Sequence, residues 1–136
     1  MKSTEEIRTE FNAVPVNRFF GFELVARSAE HAEVVMTIDP DHLQEEGIVQ
    51  GGVITALADT AGVYLLYPDL PTDRSMTGIE FKMNFLSPAT VGRGRVRARS
   101  RLVKGGRRIS VVEVEVFQGE RLVAMGVFTH LLFERR

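Results

Sequence analysis

The sequence predicts a single α+β domain in which an antiparallel sheet wraps around one long central helix, and three observations carry that prediction. From Val53 to Leu66 the chain is apolar on nearly every helical face, the pattern of a helix enclosed by other structure rather than resting on a surface. Four β-rich segments follow, at about 76–87, 93–104, 107–117 and 121–133, separated by Ser87-Pro88, Gly105-Gly106 and Gln118-Gly119. No repeat, linker or low-complexity segment interrupts the 136 residues, so residues 1–136 are read as one domain long enough to bury its own core.

Each element has its own signal. Ser3-Thr4-Glu5-Glu6 has the form of a capping box, in which a hydroxyl accepts from an early helical N–H and a glutamate reaches back, so a short helix runs to about Asn12. Pro15 breaks it, and Phe19, Phe20, Phe22 and Leu24 around Gly21 suit the entry into a first strand, a segment placed as a lid or strand on the core. Val34, Met36 and Ile38 alternate with Glu33, Val35 and Thr37, a period of two that fits a half-buried strand. Asp39-Pro40-Asp41 ends it, and a polar loop through Gly47 leads to Gly51-Gly52 and the central helix, which stops near Pro68. The last four segments read as an antiparallel meander. Val112, Val114 and Val116 face the core while Glu113 and Glu115 face water. Helix and sheet pattern alone also allow other α+β folds, including a cystatin-like sheet.

Composition removes several chemistries. The chain has no cysteine, which excludes disulfides, thiolate nucleophiles and cysteine-held metal centres. The N-terminus lacks the apolar stretch of a signal peptide and no run is long enough to span a bilayer, so a cytoplasmic protein that does not engage membranes is expected. A formal net charge of −1 gives no overall attraction to nucleic acid, and none is expected as a partner.

The candidate chemistry lies at the start of the central helix. Gly51 and Gly52 let a ligand approach the first helical N–H groups, which have no partner within the helix and carry the positive end of its dipole. Such a site can polarise a carbonyl, although a glycine pair before a helix also serves as a plain turn. Asp59 is the only ionisable group between Gly51 and Tyr64. It reads either as a carboxylate bonded to a neighbour such as Thr55 or Thr60 or facing a wet crevice, or as a general base or nucleophile held at a cleft.

The stretch from Gln44 through Gln50-Gly51-Gly52 to Asp59 resembles the signature of PaaI-type hotdog thioesterases: Asn or Gln, six residues, Gly-Gly, then Asp or Glu eight residues after the first Gly. The likeness continues through Glu80-Phe81-Lys82-Met83-Asn84-Phe85-Leu86-Ser87-Pro88 and the late Gly119 to Ala124 hairpin, covering most of the chain from about residue 20. The resemblance implies the hotdog fold and hydrolysis of an acyl-CoA, with coenzyme A entering as part of the substrate and no separate cofactor or metal. It implies that the Gly51 N–H and the Gln44 amide polarise the thioester carbonyl while Asp59 attacks it or activates a water. Gln44 and Gly51 then come from one subunit and Asp59 from its neighbour, so a homodimer is the minimum and a homotetramer is expected. Two positions depart from the pattern. Gln50 stands where the family has His, as a hydrogen-bonding substitute beside Gly52, and Gly78 stands where it has Ser or Thr two places before the strand acid. Thr77 supplies that hydroxyl only if the strand is bulged or shifted, because a one-residue slip turns a side chain to the other face.

Arg95, Arg97, Arg99 and Arg101 alternate along one segment. They read as a solvated face paired with Glu113 and Glu115 or as a strip for the CoA phosphates. Lys104, Arg107 and Arg108 beside the Gly105-Gly106 turn are better placed to hold a nucleotide. His31, His42 and His130 have no metal-ligand spacing and read as ordinary polar or core residues, and no serine sits in a nucleophile elbow. Two rival functions remain at this level: an acyl-thioester hydratase or dehydratase, for which His42 is the only loop base, and a non-catalytic acyl-CoA-binding module, which binds without releasing thiol.

Overall fold

The structure, a computed structural model, describes residues 1–136. Helix α1 (Thr4–Ala13) opens at Ser3, whose hydroxyl accepts the Glu6 N–H at 3.1 Å. Val14 is pushed into the extended region by the proline after it. Pro15 then opens a second short helix, α2 (Pro15–Phe20), because a first helical position needs no N–H. Phe19 and Phe20 therefore sit in a helix rather than a strand. Gly21, at φ 73, reverses the chain into β1 (Phe22–Arg27).

Strand β1 pairs with β2 (His31–Met36), and the central helix α3 (Gly51–Leu66) follows, then β3 (Arg74–Phe85), β4 (Val96–Gly105), β5 (Ile109–Gln118) and β6 (Arg121–Glu134). All pairings are antiparallel, in the order β1-β2-β4-β5-β6-β3. The expected four-strand meander is corrected here. Strands β4, β5 and β6 form one, but β3 pairs with β6 and lies at the far edge. The connection after β3 causes the difference. Ala89 accepts the Val49 N–H, and the Gln118 amide bonds Thr90 and Gly94, so this segment is pinned across the sheet end and delivers β4 beside β2.

Helix α3 packs across β2, β4 and β5 through Ile54, Leu57, Ala58, Ala61 and Leu65, all buried. Small side chains set the closeness of this packing: a Cβ at Gly62 would stand 3.1 Å from a Val112 methyl. The Ser100 hydroxyl donates to the Ala61 carbonyl at 2.7 Å, tying helix to sheet. Arg27 closes the helix C-terminus, donating to the Tyr64 and Leu65 carbonyls at 2.7 and 3.0 Å and pairing with Asp69 at 2.7 Å, where a cation also meets the negative end of the helix dipole.

The arginines of β4 face water and are paired on both sides. Arg97 meets Glu33 at 3.1 Å and Arg101 meets Glu113 at 3.0 Å, while Arg99 stands opposite Glu115 in the register. At the other edge, β3 has no buried face, and Ile79, Phe81 and Phe85 are each more than half exposed. No helix is long and apolar enough to cross a membrane.

Candidate functional site

Two separate clefts flank α3. The first surrounds its N-terminus. The polar loop before the helix doubles back: Gln44 N–H donates to the Ile48 carbonyl at 2.8 Å, and Gln50 N–H to the His42 carbonyl at 3.0 Å. The reversal uses left-handed backbone at Glu46 and Gly47, with φ of 65 and 69. It brings Gln44 beside Gly51 in a cleft closed by Ile48, Phe85 and Leu86. Gly51 is the first residue of the helix, so its N–H has no acceptor within it. The Gln50 side chain caps the helix, accepting the Val53 N–H at 3.1 Å. It lies over Gly52, where a Cβ would stand 2.7 Å from the amide oxygen. Gln50 thus braces the turn that presents the Gly51 N–H.

Asp59 lines the second cleft, about 410 Å³, between α3, α2 and the start of β3. It is exposed in the single chain. The apolar walls nevertheless withdraw part of its hydration, and this desolvation pushes its carboxyl pKa above the ordinary 3.8. Thr55 and Thr60 do not hold it, since each hydroxyl donates to a carbonyl one turn earlier in the helix. Val14, Val16 and Asn17 wall this cleft, whereas Phe19 and Phe20 border a different one with His42. The N-terminal segment walls the acid's cleft, but through residues other than the phenylalanines.

Asp59 follows Gly51 by eight residues on one straight helix, which at 1.5 Å per residue separates them by about 12 Å along the axis. Within one chain they cannot touch the same carbonyl carbon and oxygen.

Thr77 and Gly78 both border the Asp59 cleft. Gly78 pairs with His130 and Thr77 with Leu131, and the bulge falls after Gly78, at Ile79. Strand alternation therefore puts position 78 on the inward side with His130 and turns the Thr77 side chain to the other face. The bulge that the hydroxyl reading of Thr77 requires falls beyond it, at Ile79, while Thr77 itself borders the cleft. The β4–β5 turn reaches the same end of the sheet, where the Leu132 N–H donates to the Arg108 carbonyl at 2.7 Å and the Arg74 guanidinium to the Arg107 carbonyl at 2.9 Å. None of the ion pairs uses Lys104, Arg107 or Arg108.

His130, an ordinary residue by its sequence context, lines the Asp59 cleft. It is 1% exposed, and neither ring nitrogen has a hydrogen-bond partner. Burial pushes its pKa below the usual 6.5, which keeps the ring neutral. A sequence signal existed: Ala124, Gly126, Phe128 and His130 form the inward period-two row of β6, and its last member is polar. His42, in contrast, accepts the Asp39 N–H at 3.0 Å and takes part in a short cap.

Residues 46–125 match the sequence profile of the family described as the thioesterase superfamily. A Haemophilus influenzae protein named as a candidate esterase is 31% identical over 96 residues, 71% of this chain and 68% of that one. The crystal structure of a Haemophilus influenzae thioesterase superposes with a TM-score of 0.88, covering 98% of this chain and 92% of that one, and at 24% identity this bears on the fold. A point mutant of the phenylacetic acid degradation protein PaaI of Thermus thermophilus superposes with a TM-score of 0.78 at 28% identity, over 87% of this chain and 98% of that one. These neighbours share the hotdog arrangement of a six-stranded antiparallel sheet around one long helix.

Proposed function

Since the chain belongs to the thioesterase superfamily, a family of thioester hydrolases, we propose that it hydrolyses an acyl-CoA to free acid and CoA, with its active sites at the interface of two subunits. The observation that carries this reading is Asp59, a carboxylate with a desolvated, raised pKa on an otherwise apolar helix, open to a cleft. A carboxylate so placed binds a proton better than one in water, which suits a general base.

In this reading the thioester oxygen lies against the Gly51 N–H and the Gln44 amide of one subunit, whose fixed donors meet the charge that develops in the transition state. Asp59 of the other subunit takes a proton from water as the water oxygen attacks the carbonyl carbon. The C–S bond then breaks and the thiolate leaves with a proton. The separation of about 12 Å along α3 supports the division between chains, and the uncovered apolar edge of β3 supports the assembly. An edge strand bearing Phe81 and Phe85 has its backbone groups free to pair with a second copy. Arg107 and Arg108, whose carbonyls bond Arg74 and Leu132 near Met76, and Lys104 before the same turn are all free of ion pairs and suit the CoA phosphates. A homotetramer needs a second interface in addition to the β3 edge.

The neutral His130 beside Asp59 favours one second reading, hydration of an enoyl thioester, which needs a histidine together with an acid. Thiol release over short, long and aromatic acyl-CoAs, with crotonyl-CoA included, tests both. Hydrolysis releases free thiol and Asp59→Asn loses it by about 10²-fold or more. Loss of the crotonyl double bond without thiol favours the hydratase, and an Asp59→Asn variant as fast as wild type removes the mechanism.

A further inference from the structure

We propose that His130 is a further catalytic residue, the group that holds and orients the attacking water at the floor of the Asp59 cleft. The inference rests on the reading of Asp59 as the base, and it begins with an energetic anomaly. A buried imidazole with both nitrogens unpaired gives up its hydration for no bond in return, and buried polar groups are otherwise paired as a rule. Four other buried polar side chains have a visible bond: Ser100 ties helix to sheet, Asn17 donates to the Phe11 carbonyl, His42 caps a turn and Gln118 pins the crossover, while the small Ser110 stands opposite His130 in the β5–β6 register. His130 has no such bond within its own chain.

Its surroundings aim it at the site. A Cβ at Gly62 would lie 3.8 Å from His130 Cε1, and one at Gly78 would lie 3.9 Å from Cδ2. Nε2 lies between those two carbons, so this edge of the ring looks into the gap between α3 and β3, and neither wall carries a side chain there. Asp59 is three residues before Gly62, on the same side of the helix one turn away. Position 62 is closely packed against Val112, but at Gly78 the His130 ring is the one group near an added Cβ, so a small ring movement on that side brings Nε2 to a water in the cleft, and such contacts tighten when substrate binds. Of the other polar side chains that line this cleft, Asn17 and Thr60 are already bonded to backbone carbonyls, whereas His130 is buried with both nitrogens free.

A neutral imidazole offers what the step requires. The water gives one hydrogen to the Asp59 carboxylate and the other to the unprotonated ring nitrogen, which leaves an oxygen lone pair directed at the thioester carbon. The O–C bond forms, the Asp59-bound proton passes to the departing sulfur, and the imidazole keeps its protonation state throughout. An imidazolium has no acceptor to offer, so the burial that keeps the ring neutral serves the role.

His130→Phe conserves ring shape and removes both unpaired nitrogens, so its melting temperature should equal or exceed that of wild type. Its kcat for acyl-CoA hydrolysis should fall about 10²-fold with KM nearly unchanged, and His130→Gln, which keeps a hydrogen-bonding group, should recover part of the loss. On the wild-type protein, the His130 ring ¹⁵N resonances should shift when 2-oxopropyl-CoA, a non-hydrolysable ketone analogue, is bound. A wild-type kcat in His130→Phe, a kcat loss that tracks a fall in melting temperature in both variants, or ¹⁵N signals unmoved by the analogue would each overturn the inference. Asp59→Asn run alongside separates the two levels. If it is slow and His130→Phe is fast, only the water-holding role falls. If Asp59→Asn is fast, the base reading falls and takes this inference with it.

Discussion

Two inactive variants should restore each other when mixed, if each site is assembled from two chains. Gly51→Pro removes the carbonyl-binding N–H with little disturbance. Proline is favoured at the first position of a helix, and Gln50 already has the extended backbone, φ −63 and ψ 138, that a following proline requires. A Cβ there meets the Phe85 ring at 3.3 Å, and Phe85 is exposed at an edge and can turn aside. Losing one such donor lowers kcat by about 10²–10³-fold, and Asp59→Asn lowers it by about 10²–10⁴-fold. In a two-fold dimer that carries one variant chain of each kind, one site holds both native groups and the other holds neither. Random reassociation of equal amounts makes half the dimers mixed, so the mixture should recover about one quarter of wild-type activity, against about one hundredth for either variant alone. The assay is thiol release after co-refolding chains with two different affinity tags, with the mixed dimer isolated on both. If isolated mixed dimers are no faster than the separate variants, the two-chain site is refuted.

Three further outcomes are expected. Phe81→Asp places a charge on the exposed edge strand and should shift the protein to the monomer in sedimentation with loss of thiol release; a dimeric, active Phe81→Asp would locate the interface elsewhere. Arg27→Ala removes three charge-assisted bonds at the end of α3 and should destabilise the fold by about 1.5–3 kcal/mol in urea denaturation with KM unchanged. Because desolvation favours the protonated carboxyl, Asp59 takes up its proton at a pH above the ordinary 3.8, so kcat should fall on acidification with an apparent pKa above that value. The same linkage acts on stability. The contribution of the protonated form is present in full below 3.8 and is lost as pH rises through the raised value, so Asp59→Asn should gain on wild type between acid and neutral pH. Equal pH profiles for both proteins would contradict the shift.

The elements that pattern could reveal are those whose burial is periodic. The alternation of Val96, Ala98 and Ser100 with Arg97, Arg99 and Arg101 survives intact in β4, and the expected pairing of that cationic face with Glu113 is seen at 3.0 Å. Strand order was not visible, because nothing local in β3 distinguishes β4 from β6 as a neighbour. It is decided by Gln118 bonding the crossover from the far end of β5. At the site, Gln44 was expected near Gly51 only from the likeness to the family signature, and the two do line one cleft. The meeting of His130 and Asp59 in one cleft was not expected, since it depends on how α3 lies against β3 and β6, which are distant in sequence. Thr77 shows the same limit, because neither the presence of a bulge in β3 nor its place beyond Gly78 is written in the local pattern.

The bare edge of β3 also bears on how this chain is made and stored. A newly released copy carries a twelve-residue strand with one side of its backbone and two aromatic rings unshielded, a template to which any extended segment can add. If that edge is the dimer contact proposed above, a lone copy competes between correct partnering and disordered accretion, the first limited to one geometry and the second open to any strand. Loss of activity on dilution should therefore be only partly reversed by reconcentration, with a shortfall that grows with the time spent apart and shrinks when the edge carries a charge.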